Sequence, residues 1–169
     1  SGNENITVSI DGFEVTFGVV QDWHGTEILI FTVNDNQGRA IAEDNINVIV
    51  TQVNDAPILT EIGDHETDED TPLVLTLEAA DVDEDNLTFS AVSDNENVNI
   101  SVSGDQLTMT PALDFHGDAT ITVTVTDDGG LDSSTDFILT VHPVNDAPVM
   151  GIIATQATDE DTPLELSLT

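Results

Sequence analysis

Thr120-Ile121-Thr122-Val123-Thr124-Val125 alternates threonine with branched aliphatic residues at a period of two. Successive side chains of a strand point to opposite faces, so this stretch reads as a strand with one face buried. Leu73-Val74-Leu75-Thr76-Leu77 and Phe137-Ile138-Leu139-Thr140-Val141 carry a similar pattern, and β-branched residues suit a pleated surface. Ser103-Gly104-Asp105, Asp128-Gly129-Gly130 and Asn54-Asp55-Ala56-Pro57 punctuate the chain; these are the residue types of turns and linkers. No segment keeps a helical i, i+3, i+4 stripe for three turns. The fold class expected is all-β.

The pattern is internally repeated. Val53-Asn54-Asp55-Ala56-Pro57 returns 91 residues later as Val144-Asn145-Asp146-Ala147-Pro148, and Asp68 to Leu73 (Asp-Glu-Asp-Thr-Pro-Leu) returns at the same offset as Asp159 to Leu164. At an offset of 92, Ser1-Gly2-Asn3-Glu4-Asn5-Ile6 lines up with Ser93-Asp94-Asn95-Glu96-Asn97-Val98, Asp22-Trp23-His24-Gly25 with Asp114-Phe115-His116-Gly117, and Thr32-Val33-Asn34-Asp35-Asn36 with Thr124-Val125-Thr126-Asp127-Asp128. One residue is therefore inserted between Asp35 and Val53. Repetition at a fixed period marks a tandem array.

A unit of about 90 residues with about seven short strands fits an immunoglobulin-like sandwich. Residues 54–145 are expected to form one complete repeat, residues 1–53 the C-terminal half of another, and residues 146–169 the opening strands of a third. The core of the complete repeat is expected to draw on Leu73, Leu75, Leu77, Leu87, Phe89, Leu107, Met109, Phe115, Ile121, Val123, Val125, Phe137, Leu139 and Val141. The half repeat cannot close a core by itself. Either the chain is an excerpt of a longer array, or the ends of different chains complete each other.

The chain carries 34 Asp plus Glu against one basic residue, Arg39, a formal net charge of -33. Such a chain repels itself unless cations intervene. Nucleic acid and anionic membrane surfaces are poor partners for the same reason. No Cys is present, which removes disulfides and thiolate metal sites. No apolar run approaches the roughly 20 residues of a membrane helix, so membrane insertion is not expected.

The acids cluster. Asp81-Val82-Asp83-Glu84-Asp85-Asn86 sets carboxylates at alternate positions of a loop, and Asp127-Asp128-Gly129-Gly130 ends a strand with two more. Asn54-Asp55 and Asn145-Asp146 lie in the linkers, and Asp68-Glu69-Asp70 and Asp159-Glu160-Asp161 precede a strand that opens with Thr-Pro. Calcium takes six to eight hard oxygen ligands in irregular geometry, which such loops supply. The EF-hand pattern is absent, because its sixth-position Gly and twelfth-position Glu are missing. The same Asp and Asn residues also serve turns without any metal, by Asx bonding or at a hairpin tip.

This ordered set, from the linker Asn-Asp-x-Pro through the acidic triplet and the Asp-x-Asp after an Ala to the strand-end Asp, resembles the cadherin-like repeats of large bacterial surface and secreted adhesins. Thr108-Met109-Thr110-Pro111, Asp114-Phe115-His116-Gly117 and Val125-Thr126-Asp127-Asp128-Gly129-Gly130 are especially similar to those repeats. The resemblance covers essentially the whole chain. It implies tandem immunoglobulin-like, cadherin-like β-sandwiches with calcium bound between consecutive domains. Carried over, the first junction would use Asn54 and Asp55 with Asp81, Asp83 and Asp127 from the following repeat and Asp22 from the preceding one. The second would use Asn145 and Asp146 with Glu69 and Asp114. Two departures stand out: the family's Asp-x-Glu reads Asp114-Phe115-His116 here, and the Asp-x-Asp of the second junction lies beyond Thr169.

Enzyme motifs are lacking: there is no phosphate loop, no Gly-x-Ser-x-Gly elbow and no His-Glu-x-x-His. So many acids guarantee chance carboxylate pairs, so pairing alone does not indicate a glycosidase. His24 and His116 recur without a nucleophile beside them, and a turn role is expected. Trp23 and Phe115 are expected in the core. The function expected is a non-enzymatic, calcium-stiffened extender, stalk or filament repeat of an extracellular adhesin. Its partners would be neighbouring repeats of the same or another chain, with cell-surface glycan as a further candidate. The alternatives are a polysaccharide-binding module and a strand-exchanged, head-to-tail polymer subunit.

Overall fold

The structure is a computed structural model that describes residues 4–34 and 41–166. Ser1 to Asn3, Asp35-Asn36, Arg39 and residues 167–169, some of which entered the repeat alignment, lie outside the described residues. The described residues form strands, turns and extended segments; none of them is helical.

Two hairpins come first: β1 (Ile6–Asp11) with β2 (Glu14–Val19), then β3 (Gly25–Asn34) with β4 (Ile41–Val50). The remaining strands are β5 (Ile58–Leu59), β6 (His65–Asp68), β7 (Leu73–Thr76), β8 (Ala79–Ala80), β9 (Thr88–Ser93), β10 (Val98–Ser103), β11 (Gln106–Pro111), β12 (Gly117–Thr126) and β13 (Asp132–His142). They build a three-stranded sheet of order β10-β11-β7, a four-stranded sheet of order β6-β13-β12-β9 and a short β5-β8 pair. All pairings are antiparallel except that β6 runs parallel to β13, with Leu139 opposite His65.

The alternation in β12 decides what is buried. Ile121, Val123 and Val125 are fully buried, while Thr120, Thr122 and Thr124 are only half-buried on the other face. One core cluster joins Leu107 and Met109 of β11 to Ile121 and Val123 of β12 and to Phe137, Leu139 and Val141 of β13. Burying side chains of this size contributes about 1.5–3 kcal/mol each. Leu73, Leu75, Phe89 and Phe115 pack against the cluster from its margin. Leu87, expected in the core, is half-buried and precedes the first residue of β9. Val98 and Ala119 join the cluster without having been expected, since a strand-opening Val and a small Ala add little to an apolar pattern.

The first two hairpins repeat later ones in register. Ile6 opposes Val19 as Val98 opposes Pro111, and Gly25 opposes Val50 as Gly117 opposes Val141. Within β1–β4, Ile6 and Leu29 are buried. β7 pairs with β11 and β6 with β13; among the described residues, β2 pairs with β1 and β4 with β3.

Candidate metal centres

Beside the second linker, the chain Asp-Glu-Asp-Thr-Pro turns sharply. Asp70 adopts φ 60°, a left-handed conformation that Asp tolerates better than most residues. This separates the two acids. Glu69 points inward, is 6% exposed and accepts a hydrogen bond from the Val144 backbone N–H. Asp70 stays outside and accepts the Asp114 N–H at 3.1 Å. Asp114 is itself left-handed at φ 57°. Carboxylate oxygens of Asp70, Asp114 and Asp146 lie within 4.8 Å of one another. Partial desolvation, then the charges of Asp146, Asp70 and Glu69, hold the Asp114 carboxyl above its ordinary range. Negative charge is therefore concentrated here.

At the first linker the acids are tied into a network. Asn54 Nδ2 donates to Asp127 Oδ2 at 2.8 Å, and the Asp55 N–H donates to Asp83 Oδ2 at 2.8 Å. Gln52 Nε2 donates to Asp83 Oδ1 at 3.0 Å. These bonds, the backbone one first, hold the Asp83 carboxyl below its ordinary range. Asp81 Oδ1 accepts the Asp83 N–H at 2.8 Å, an Asx turn, while its Oδ2 is buried without a partner. Asp127 Oδ1 accepts the Leu131 N–H across the hairpin tip at 2.8 Å. Burial pushes the Asp127 carboxyl up, but Asn54 and the N–H groups of Leu131, Gly130 and Gly129 outweigh it and leave it lowered. Asp85 is raised by desolvation and then by Asp81, Asp127, Asp128 and Asp83. Asp22, Asp55 and Asp83 line one cavity of about 310 Å³, together with Trp23, His24 and Val50 to Val53.

The structure thus brings Asp22, Asn54, Asp55, Asp81, Asp83 and Asp127 around the first linker, and Asp114 and Asp146 beside the second. Glu69 sits next to the second cluster but is committed to the Val144 backbone. Asn145 turns its amide back on the Asp146 carbonyl at 3.1 Å. Sequence reasoning missed Asp70; its signal was the third acid of a repeated triplet immediately before Thr-Pro. The Asp-aromatic-His-Gly motif leads from a turn into a strand: the Trp23 N–H donates to the Val20 carbonyl and the Phe115 N–H to the Ala112 carbonyl, and Gly25 and Gly117 open β3 and β12. Gly25 and Gly117 take φ 146° and 135°, and the Trp23 and Phe115 rings pack where a Cβ would stand, Trp23 at 3.0 Å. His24 and His116 are exposed.

The profile of a bacterial Ig domain matches residues 54–140. No curated protein matches the chain in sequence. Among solved structures, extracellular cadherin domains 1–4 of protocadherin gamma B7 align at 20% identity over 96% of this chain and 46% of that one, TM-score 0.58. Mouse cadherin-23 domains EC22–24 align at 18% identity over 85% and 51%, TM-score 0.56. Human mucin-like protocadherin EC1–2 aligns at 22% identity over 82% and 81%, TM-score 0.52. The chain spans about half of the first two. These likenesses show a cadherin-like immunoglobulin fold.

Proposed function

The chain belongs to the bacterial Ig domain family, and from that membership we propose that it is a non-enzymatic structural repeat of an extracellular adhesin, stalk or filament, stiffened by calcium at its linkers. The observation that carries this reading is the convergence of Asp70, Asp114 and Asp146 within 4.8 Å. Like charges so close destabilise one another, and a hard divalent cation would relieve them. The donor set fits calcium: all oxygen, from loops, with irregular spacing. At the first linker, Asp22, Asp55, Asp81 and Asp83 would hold the ion, and the buried, unpartnered Asp81 Oδ2 supports that assignment. Asn54 and Asp127 would position the linker behind them.

The role of these residues is mechanical. Asp70 and Asp114 belong to the complete repeat, while Asp146 belongs to the linker that leaves it. Mutual repulsion loosens the hold of the domain on the linker, and neutralising all three would fix the linker's direction. Calcium supplies the counter-charge and the coordination, and the protein supplies the preset left-handed turns at Asp70 and Asp114. Among the described residues, no helix is long and apolar enough to cross a membrane.

Small-angle scattering and thermal melting in chelator and in millimolar calcium test the proposal. The expected result is a stiffer, more extended chain with a higher melting temperature in calcium. Superimposable profiles and unchanged melting would end it.

A further inference from the structure

A cavity of about 240 Å³ lies where the chain crosses between two sheets. β5 pairs with β8 and β6 with β13, so residues 60–64 make the crossing. The Thr60 N–H holds its start by donating to the Glu78 carbonyl at 2.9 Å. Ile62 of the crossing, Leu75 of β7 and the following Leu77 give the cavity an apolar floor. That floor belongs to the core: Leu77 is 3% exposed, and Ile62 and Leu75 pack against the same cluster. His65 forms a further wall, its ring set edge-on against Phe137 with centroids 5.7 Å apart. Glu61 and Glu78 line the same cavity and are exposed, so they form its rim.

We propose that this cavity docks a basic side chain, lysine or arginine, of a partner polypeptide. The aliphatic stem lies on Ile62, Leu75 and Leu77, and the charged head meets Glu61 and Glu78. Charge selects the occupant first. Among the described residues neither rim carboxylate has a hydrogen-bond or ion-pair partner, and the whole chain carries a formal -33. Such a field concentrates cations at the surface and repels anions. The mixed lining selects next, because lysine and arginine lay a methylene stem on apolar surface and keep the head in water. Size agrees: pockets for drug-sized ligands run to about 300–1,000 Å³, and this smaller one suits a single side chain.

The surroundings favour a polypeptide over a free amine. β7 ends the β10-β11-β7 sheet, and β6 ends the β6-β13-β12-β9 sheet. Among the described residues each pairs along one side only, so backbone donors and acceptors beside the cavity remain open to a peptide chain. A free amine cannot use them. None of the residues proposed to hold calcium lines this cavity, so the docking and the metal binding stand or fall separately. Exposed ion pairs alone contribute little. Burial of the stem therefore adds to the charge, and lysine should be preferred over an uncharged analogue and over a shortened one.

Magnetic resonance titration of the isotope-labelled chain, in chelator at physiological salt, tests the docking. The probe is an end-capped alanine pentapeptide with one central lysine. Saturable shifts are expected at the amides of Gly63, His65, Leu75 and Glu78. Affinity should fall about fivefold or more when norleucine removes the charge or diaminobutyrate shortens the stem. Glu61→Gln with Glu78→Gln should weaken the lysine peptide by about fivefold or more. Glu96→Gln with Asp136→Asn removes two charges outside the cavity and should leave its affinity unchanged. All four residues are exposed and none belongs to the core cluster, so an unchanged melting transition reports that both variants are folded. Shifts that never saturate, or that spread evenly over the acidic surface, overturn the proposal. So do equal losses in the two double variants, or spermidine shifting the same amides as tightly as the peptide.

Discussion

Asn54 donates its side-chain amide to Asp127 Oδ2 at 2.8 Å across 73 residues of sequence, and so ties the segment between β4 and β5 to the tip of the β12–β13 hairpin. Gly129 makes room for it: a Cβ there would lie 2.5 Å from the amide carbon, oxygen and nitrogen of Asn54.

Asn54→Ala and Gly129→Ala should therefore act alike. The first removes the donor, and the second forces the amide aside, leaving the 6% exposed Asp127 short of a partner. Both should lower the melting temperature by several degrees and weaken calcium binding by about tenfold or more, as loss of an orienting outer partner does. Calorimetric titration of the two variants checks this, and a Gly129→Ala chain with parental affinity would refute the coupling.

Asp114→Asn should stabilise the calcium-free protein in a pH-dependent way. The Asp114 carboxyl is raised in the folded state above its ordinary 3.8, so its contribution is fully present below that value and is lost as pH rises through the folded pKa. At neutral pH in chelator the variant should melt above the parent, with the gap closing toward pH 3.8. In calcium the order should reverse. Asp83 and Asp127 are lowered, so their contribution is present above 3.8 and lost below it; Asp83→Asn and Asp127→Asn should both destabilise at neutral pH.

Calcium itself should raise stability by about 2.7 kcal/mol per site at a hundredfold excess over its dissociation constant. For a domain of this size that corresponds to about 10 °C or more in melting temperature. Scanning calorimetry against calcium concentration measures it, and magnesium provides a comparison for an ion that demands tighter octahedral geometry.

Core positions should respond in proportion to what they bury. Val125 is fully buried, and Val125→Ala should cost about 2 kcal/mol or more through lost burial and a cavity. Leu139→Ala, in the centre of the core cluster, should cost about 2–5 kcal/mol. Urea denaturation of the two variants orders them.

The all-β class, the repetition of motifs and most of the core of residues 54–142 were legible in the sequence. They rest on local signals: period-two alternation, turn residues and a fixed offset. The acids of the linkers were legible as a group for the same reason. Which of them meet was decided by tertiary structure. Glu69 and Asp70 are neighbours in sequence, yet a left-handed turn at Asp70 sends one to the Val144 backbone and the other to Asp114 and Asp146. The alternation around Val33 and Val125 is alike, and it states only which face a side chain takes. Whether that face is covered depends on strands far away in sequence, β9 beside β12 and β6 beside β13, because burial is a property of neighbours rather than of pattern.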